Sequence, residues 1–150
     1  SATLILALAY CINTITKSMG AADFLLGVCE SWMTPALFLS VTFIAGAVIS
    51  FFTGSSWGTF AICIPIAVPM AYSFTGGQLG TLVYAAVGAV VSGGLFGDHC
   101  SPVSDTSVLS SLGAACDHID HVRTQLPYAL LAAAVSIILW IVVALVGGAA

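Results

Sequence analysis

Two aspartates, Asp98 and Asp105, stand in a run of small and polar residues that interrupts an otherwise apolar sequence. The chain is 60% hydrophobic and has only six acidic residues, all of which lie between apolar runs. A carboxylate in such surroundings is costly to keep charged and is retained mainly for function. We therefore expect Asp98 and Asp105 to hold a cation, and the alternative is an exposed loop with two solvated carboxylates.

The segment around these aspartates has the composition of a helix that ends, unwinds and restarts. Glycines precede it and Pro102 lies within it, so residues 97–107 are predicted to be non-helical, with helix on both sides. Ser104 or Asp105 would cap a second half-helix that begins near Thr106. The first half would present partially negative carbonyl ends to a cation, and the second would present amide ends to an anion. The candidate ion-binding residues of the segment are Asp98, His99, Ser101, Ser104, Asp105 and Thr106.

A second polar segment, residues 53–59, joins two apolar runs with hydroxyls, glycines and one tryptophan but no charge. Aqueous turns usually also contain Asn, Asp or Pro. Hydroxyls and uncovered carbonyls can coordinate a dehydrated sodium ion at the tip of a re-entrant hairpin. A tight turn and a hairpin tip are both open from the spacing alone. The candidate sodium ligands in this segment are Thr53, Ser55, Ser56 and Thr59.

A third polar cluster lies just before the last apolar run and consists of Asp117, His118, Asp120 and His121. The i, i+4 spacing of Asp117 and His121 invites a zinc interpretation, but the cluster lacks the spacing of a recognised zinc motif. Its position favours an interfacial or gating role.

Sodium and protons are expected to compete for Asp98 and Asp105, with Asp105 favoured as the coupling residue. Burial disfavours a charged carboxylate, whereas a bound sodium ion favours it. Each ion therefore weakens the binding of the other, and a carrier that must hold one of them to reorient becomes an exchanger. His99 could shift the pH range because an imidazole changes charge near neutrality, and a plain hydrogen-bonding role is the alternative.

Long apolar runs position these polar segments. A membrane-spanning helix needs roughly 20 mostly apolar residues, and uncharged runs that approach or meet this length cover residues 3–15, 35–52, 60–74, 79–97 and 126–146. A chain of this size cannot cover them all with polar structure. We predict an all-α membrane protein of about five transmembrane or re-entrant helical segments, in which Pro65 and Pro69 tend to kink the third.

The composition restricts the partners of the chain. Only 5% of its residues are charged, against roughly 25% in soluble domains. Lys17 and Arg123 are the only Lys or Arg residues, so the chain has no basic patch for nucleic acid and its expected partner is the lipid bilayer. The five cysteines form no CxxC pair and are expected to be mainly small buried hydrophobes. A metal site at residues 98–100 is disfavoured because adjacent side chains diverge.

Three ordered blocks resemble the NhaC-type sodium/proton antiporter family: FTGSSWGTFAICIPIA from residue 52, GDHCSPVSDTS from residue 97 and CDHIDHVRTQLPYA from residue 116. The resemblance extends from about residue 34 onward and corresponds to roughly the last third of a family member. Residues 1–150 are therefore expected to be a C-terminal transmembrane fragment that lacks the N-terminal part of the transporter.

The resemblance implies a multi-pass carrier of the bacterial cytoplasmic membrane, of which this chain is one half of an inverted-repeat fold. By analogy, residues 53–59 are a hairpin tip and residues 97–107 the unwound part of a broken helix, and both line one ion site. Na⁺ and H⁺ are then the transported ions, no cofactor is required, the N-terminal half is a partner, and a homo-oligomer is left open. A sodium- or proton-coupled organic acid carrier is the main alternative. An intramembrane hydrolase is less favoured, since no HExxH pattern is present.

Overall fold

The structure is a computed structural model that describes residues 11, 14–15, 18–20 and 33–147. From residue 33 onward the chain forms helices joined by short connections, and no strand occurs in the part of the chain that is described. The helices are α1 (Pro35–Thr53), α2 (Ser56–Phe74), α3 (Thr81–Cys100), α4 (Asp105–Gly113) and α5 (His118–Gly147).

The connection between α1 and α2 is only two residues long. Gly54 ends α1 in the left-handed conformation at φ 66°, which glycine adopts without a steric penalty. Ser55 then caps α2, because its hydroxyl accepts a hydrogen bond from the Gly58 amide at 3.3 Å. The connection is therefore shorter than the predicted polar segment 53–59, since Thr53 belongs to α1 and the residues from Ser56 onward belong to α2.

Helix α3 is the centre of the bundle and packs against α1, α2, α4 and α5. Its glycines allow close approach to α1. A Cβ on Gly93 would meet the carbonyl oxygen of Phe43, and a Cβ on Gly97 would lie 2.7 Å from the Phe51 nitrogen. The most deeply buried large apolar side chains of α1 and α3 are Phe38, Leu39, Phe43 and Val90.

The helix break is narrower than predicted. Helix α3 continues to Cys100, and α4 begins at Asp105 with Ser104 as its N-cap, so only residues 101–104 are non-helical. The prediction for residues 97–107 was wrong at both ends. The glycines before the break pack α3 against α1 rather than unwinding it, and after the break the Ser104 cap starts α4 at Asp105. The predicted second half-helix is confirmed and starts one residue before Thr106.

The predicted apolar runs from residue 35 onward coincide with α1, α2, α3 and α5, and the all-α membrane prediction is confirmed. Three of these helices, α2, α3 and α5, are long and apolar enough to cross a membrane, and the apolar stretch Leu37–Thr53 of α1 is shorter. Helix α2 continues through both of its internal prolines. The predicted run 3–15 lies mostly outside the described residues.

Candidate functional site

Asp98 is a buried carboxylate at the meeting point of three helical elements. It lies in the last turn of α3 and is only 5% exposed. Ser56, in the first turn of α2, donates its hydroxyl to Asp98 Oδ2 at 3.0 Å. Ser104, the N-cap of α4, donates to Asp98 Oδ1 at 2.5 Å. The structure therefore brings the hairpin and the broken helix together on one carboxylate. We call Asp98, Ser56 and Ser104 the Asp98 cluster.

Ser104 connects this carboxylate to the amino end of α4. Its hydroxyl oxygen accepts the backbone N–H of Thr106 at 3.2 Å and lies 2.8 Å from Thr106 Oγ1. Because the single hydroxyl proton of Ser104 points to Asp98, Thr106 is the donor in the second contact. Ser104 is fully buried and Thr106 is exposed, so these hydroxyls run from the buried carboxylate to the surface of the described chain.

The non-helical segment is fastened to the hairpin by Ser101. Its hydroxyl donates to the carbonyl oxygen of Phe51 at 2.7 Å and accepts the backbone N–H of Val103 at 3.2 Å. A Cβ on Gly54 would lie 2.8 Å from the Val103 carbonyl oxygen, so the hairpin tip touches the break directly. The Ser101 hydroxyl thus holds the two polar segments together and does not bond the Asp98 carboxylate, while the Ser101 backbone N–H donates to the Asp98 carbonyl oxygen at 3.3 Å.

Two buried serines that the sequence analysis did not select satisfy backbone carbonyls beside the cluster. Ser50 of α1 donates to the Gly94 carbonyl oxygen at 2.6 Å. Ser107 of α4 donates to the His99 carbonyl oxygen at 3.1 Å, which is one of the last four carbonyls of α3 and has no partner within that helix. Ser50 could have been selected as a serine within an apolar run. The sequence does not indicate its hydrogen-bond partner, because Gly94 lies 44 positions away.

The charge of Asp98 is not balanced by a cationic side chain in the described part of the chain. Arg123 is the only Lys or Arg residue there, and it is exposed and makes no ion pair with Asp98. The carboxyl end of α3 adds partial negative charge near the carboxylate, and the amino ends of α2 and α4, which bring Ser56 and Ser104 to it, add partial positive charge but no full charge. A buried charge without a partner is costly. The arrangement therefore suits a carboxylate that carries either a proton or a metal cation.

Several predicted site residues lie outside the Asp98 cluster. Thr53 is exposed and donates to the Ile49 carbonyl oxygen at 2.8 Å. Thr59 is fully buried and donates to the Ser55 carbonyl oxygen at 2.9 Å, so it supports the start of α2. Of the four tip hydroxyls, Ser56 is the one that reaches Asp98.

Asp105 and His99 are also exposed, and neither joins the cluster by a hydrogen bond among the described residues. The structure therefore does not bring Asp98 and Asp105 into one hydrogen-bonded pair. Asp105 lies in the first turn of α4, where a negative charge is favourable. The participation of both residues in ion binding stays a prediction.

The third polar cluster divides into residues with different contacts. Asp117 Oδ1 accepts the backbone N–H groups of Ile119 at 2.9 Å and Asp120 at 3.2 Å, which caps α5. His118 lies between the break and α4, with Nε2 2.7 Å from the Pro102 carbonyl oxygen. Asp120 and His121 follow in the first turns of α5. Within the described ranges, no three His, Cys, Asp or Glu side chains are placed to hold a metal ion.

The residues of the hairpin also fit the G-x-S-x-G spacing of serine hydrolases, with Ser56 at the position of the nucleophile. That motif requires a sharp turn from a strand into a helix and a nearby histidine base. Here Ser56 follows a turn between two helices, and its hydroxyl donates to a carboxylate. The local structure therefore does not match a nucleophile elbow.

The sequence is similar to those of known antiporters. The model of the Na⁺/H⁺ antiporter family matches residues 1–145. An uncharacterised protein of Haemophilus influenzae is 47% identical over 95% of this chain and 27% of its own length. The malate-2H⁺/Na⁺-lactate antiporter of Bacillus subtilis is 36% identical over 76% of this chain and 23% of its own length. The Na⁺/H⁺ antiporter NhaC of Alkalihalophilus pseudofirmus is 31% identical over 93% of this chain and 29% of its own length.

The chain thus spans about a quarter of the length of these relatives. No solved structure matches it. The predicted relation to sodium/proton antiporters is confirmed by the family match over nearly all of the sequence. The chain belongs to the Na⁺/H⁺ antiporter family.

Proposed function

We propose that this chain supplies an ion-binding region of a secondary transporter that exchanges Na⁺ for H⁺. The observation that carries this proposal is the buried Asp98 carboxylate, which has hydroxyl donors on both oxygens and no cationic partner in the described residues. The transporter would be a multi-pass protein of the bacterial cytoplasmic membrane. The remaining part of a longer protein, corresponding to the uncovered length of the relatives, would complete the site and the transport path.

The chemistry of exchange follows from competition at one carboxylate. With a proton bound, Asp98 is neutral and its burial costs little. With sodium bound, the carboxylate is charged, and the ion can take further oxygen ligands from the hydroxyls of Ser56 and Ser104, which already lie against Asp98. Both ions cannot be held at full affinity by the same group, so the binding of each lowers the affinity for the other by the same factor.

Asp98 is the principal coupling residue in this proposal, in place of Asp105, which the sequence favoured. Asp98 is buried within the cluster, whereas Asp105 is exposed on α4. Desolvation is what makes a carboxylate require a proton or a cation, and an exposed carboxylate is stabilised by water. Asp105 would then act as a second carboxylate near the entrance of the site.

A second candidate function is the exchange of organic acids together with these ions. The malate-2H⁺/Na⁺-lactate antiporter of Bacillus subtilis, 36% identical over 76% of this chain, favours it. The amino end of α4 could hold a substrate carboxylate beside the cation. Transport rather than catalysis is common to both candidates.

The test is flux through the full-length protein in proteoliposomes. Sodium-driven proton movement should occur without an organic acid, and Asp98→Asn should abolish it, because a neutral amide cannot exchange a proton for a sodium ion. Asp120→Asn is the matched control, since Asp120 is exposed at the start of α5. Asp105→Asn, assayed separately, tests whether both aspartates are required.

Retention of wild-type flux and pH dependence by Asp98→Asn would refute Asp98 as the coupling site. Flux that appears only when malate or lactate is supplied would favour the second candidate function. The same vesicles, prepared with and without each acid, distinguish the two.

A further inference from the structure

We propose that His118 is a positioning residue that keeps Ser104 against Asp98 by holding the non-helical segment 101–104. This inference rests on the proposed function of the Asp98 cluster. His118 lies at the start of α5 and does not contact Asp98 itself. It acts through the backbone of the break.

The contact between His118 and the break has a defined direction. His118 Nε2 lies 2.7 Å from the carbonyl oxygen of Pro102. A carbonyl oxygen can only accept a hydrogen bond, so Nε2 carries the proton. The other ring nitrogen, Nδ1, lies 3.2 Å from Ser111 Oγ on α4, whose single hydroxyl proton goes either to Nδ1 or to the Val108 carbonyl oxygen at 2.8 Å. One imidazole therefore joins the break, the half-helix α4 and the start of α5.

Pro102 is the residue of the break that most needs such a partner. Proline has no backbone N–H, so its carbonyl oxygen is its only backbone hydrogen-bonding group. Among the described residues, His118 is the partner of this oxygen. Pro102 and Val103 are both exposed, so burial of their side chains contributes little to holding the segment. The histidine is the side chain that holds the Pro102 carbonyl oxygen, and the Ser101 hydroxyl holds the amide of Val103 beside it.

The position of Pro102 contributes to the position of Ser104, which is also held as the N-cap of α4. At the preceding end, Ser101 is fixed to α1 through the Phe51 carbonyl oxygen. At the following end, the Ser104 hydroxyl lies 2.5 Å from Asp98 Oδ1 and donates to it. Release of Pro102 would leave the chain between these points with two bonds inside the break, from the Val103 amide to the Ser101 hydroxyl at 3.2 Å and from the Ser104 amide to the Ser101 carbonyl oxygen at 3.4 Å. Loss of His118 should therefore lower the fraction of time for which Ser104 contacts Asp98.

The first experiment measures sodium half-saturation of sodium-driven proton flux in the full-length protein. A hydrogen bond of this kind contributes a factor of about two to about ten, so His118→Ala should raise the half-saturating sodium concentration by that factor. The maximal flux should change by less than about twofold, because the ion ligands themselves are intact. His118→Gln should restore the wild-type value, because its amide nitrogen can occupy the place of Nε2. His121→Ala is the matched control on the same helix.

A double-mutant cycle tests whether His118 acts through Ser104. In a Ser104→Ala background, His118→Ala should raise the half-saturating concentration little further, because the hydroxyl that it positions is already absent. If the two separate factors multiply in the double variant, His118 acts independently of Ser104 and the inference is overturned. Absence of sodium-driven proton flux in the wild type would instead count against the proposed function.

Hydrogen exchange provides a measurement that does not depend on transport. The Ser104 amide should exchange faster in His118→Ala than in the wild type, and at the wild-type rate in His118→Gln and His121→Ala. Unchanged exchange at residues 101–104 in the alanine variant would overturn the inference whatever the flux assay shows.

Discussion

Replacing Ser56 by alanine removes one of the two hydroxyls that donate to the buried Asp98 carboxylate. The Ser56 hydroxyl lies 3.0 Å from Asp98 Oδ2, and the residue is only 6% exposed, so bulk water cannot easily take its place. The backbone at this position is ordinary helix in the first turn of α2, which alanine adopts without strain. The substitution therefore perturbs the carboxylate more than the fold.

The expected size of the effect follows from the charge of the acceptor. A hydrogen bond to a charged group contributes about 1.5–3 kcal/mol, and one between neutral groups about 0.5–1.5 kcal/mol. In the proposed exchange the sodium-loaded state would have a charged carboxylate and the protonated state a neutral one, so the loss should penalise sodium binding by about 1–1.5 kcal/mol more. That difference corresponds to a rise of about fivefold to about twelvefold in the half-saturating sodium concentration. Loss of Ser56 as a direct sodium ligand would increase the factor further.

The assay is sodium-driven proton flux of the full-length protein, titrated with sodium at several pH values. Ser55→Ala and Thr59→Val serve as controls, because these hydroxyls bond the backbone at the start of α2 rather than Asp98. They should lower thermal stability, by about 1 kcal/mol for the cap, with a smaller effect on sodium half-saturation. An equal rise of the half-saturating sodium concentration in all three variants would refute the distinct role of Ser56. An unchanged value in Ser56→Ala would refute the proposal that its hydroxyl supports sodium binding at Asp98.

Two further predictions concern the packing of α3 and the access of water to the break. Gly97→Ala should lower the melting temperature of the purified protein, at a cost of about 1–3 kcal/mol, because its Cβ would lie 2.7 Å from the Phe51 nitrogen. Gly113→Ala should not, since nothing lies within 4 Å of its Cβ. In a background without native cysteines, a membrane-impermeant thiol reagent should label Val103→Cys but not Leu95→Cys, although the native side chains are 64% and 46% exposed. Equal labelling of the two cysteine variants would show that the break is no more accessible to water than the middle of α3.

The helices could be predicted from the sequence because the length and apolar composition of each run by themselves indicate a membrane-spanning helix. The run 79–97 and the helix Thr81–Cys100 differ by two or three residues at each end. A break after α3 could also be predicted from the local sequence, since Pro102 lacks a backbone N–H and Ser104 is a good helix cap. These features depend on neighbours in the sequence.

The extent of the break could not be predicted in the same way. Glycines before a proline are compatible with an unwound chain and with a helix that approaches another helix closely. The second use occurs here, because the Cβ atoms that Gly93 and Gly97 lack would collide with α1. Only the position of α1 distinguishes the two outcomes, and the sequence around the break does not contain it.

The hydrogen-bond partners of the site residues could not be predicted either, because they are far apart in the sequence. Ser56 and Asp98 are 42 positions apart, and His118 and Pro102 are 16 apart. The four hydroxyls of the hairpin tip were equivalent candidates by composition. The register of α2 on α3 places Ser56 at Asp98, while the other tip hydroxyls bond backbone groups. The sequence therefore predicted the two polar segments but not which of their side chains meet.

The Asp98 cluster contains one side chain from each of α2, α3 and the cap of α4. In the proposed transporter, ion binding at Asp98 would therefore affect the contacts between these three elements. An ion that changes the charge of Asp98 changes the strength of both hydroxyl contacts at once, by the difference between charged and neutral acceptors. Since Ser56 follows the hairpin tip and Ser104 precedes α4, that difference acts on the relative placement of the hairpin and the half-helix. An ion can shift a conformational equilibrium only by its differential affinity for the two states. These two hydrogen bonds are a means by which occupancy of Asp98 would produce such a difference.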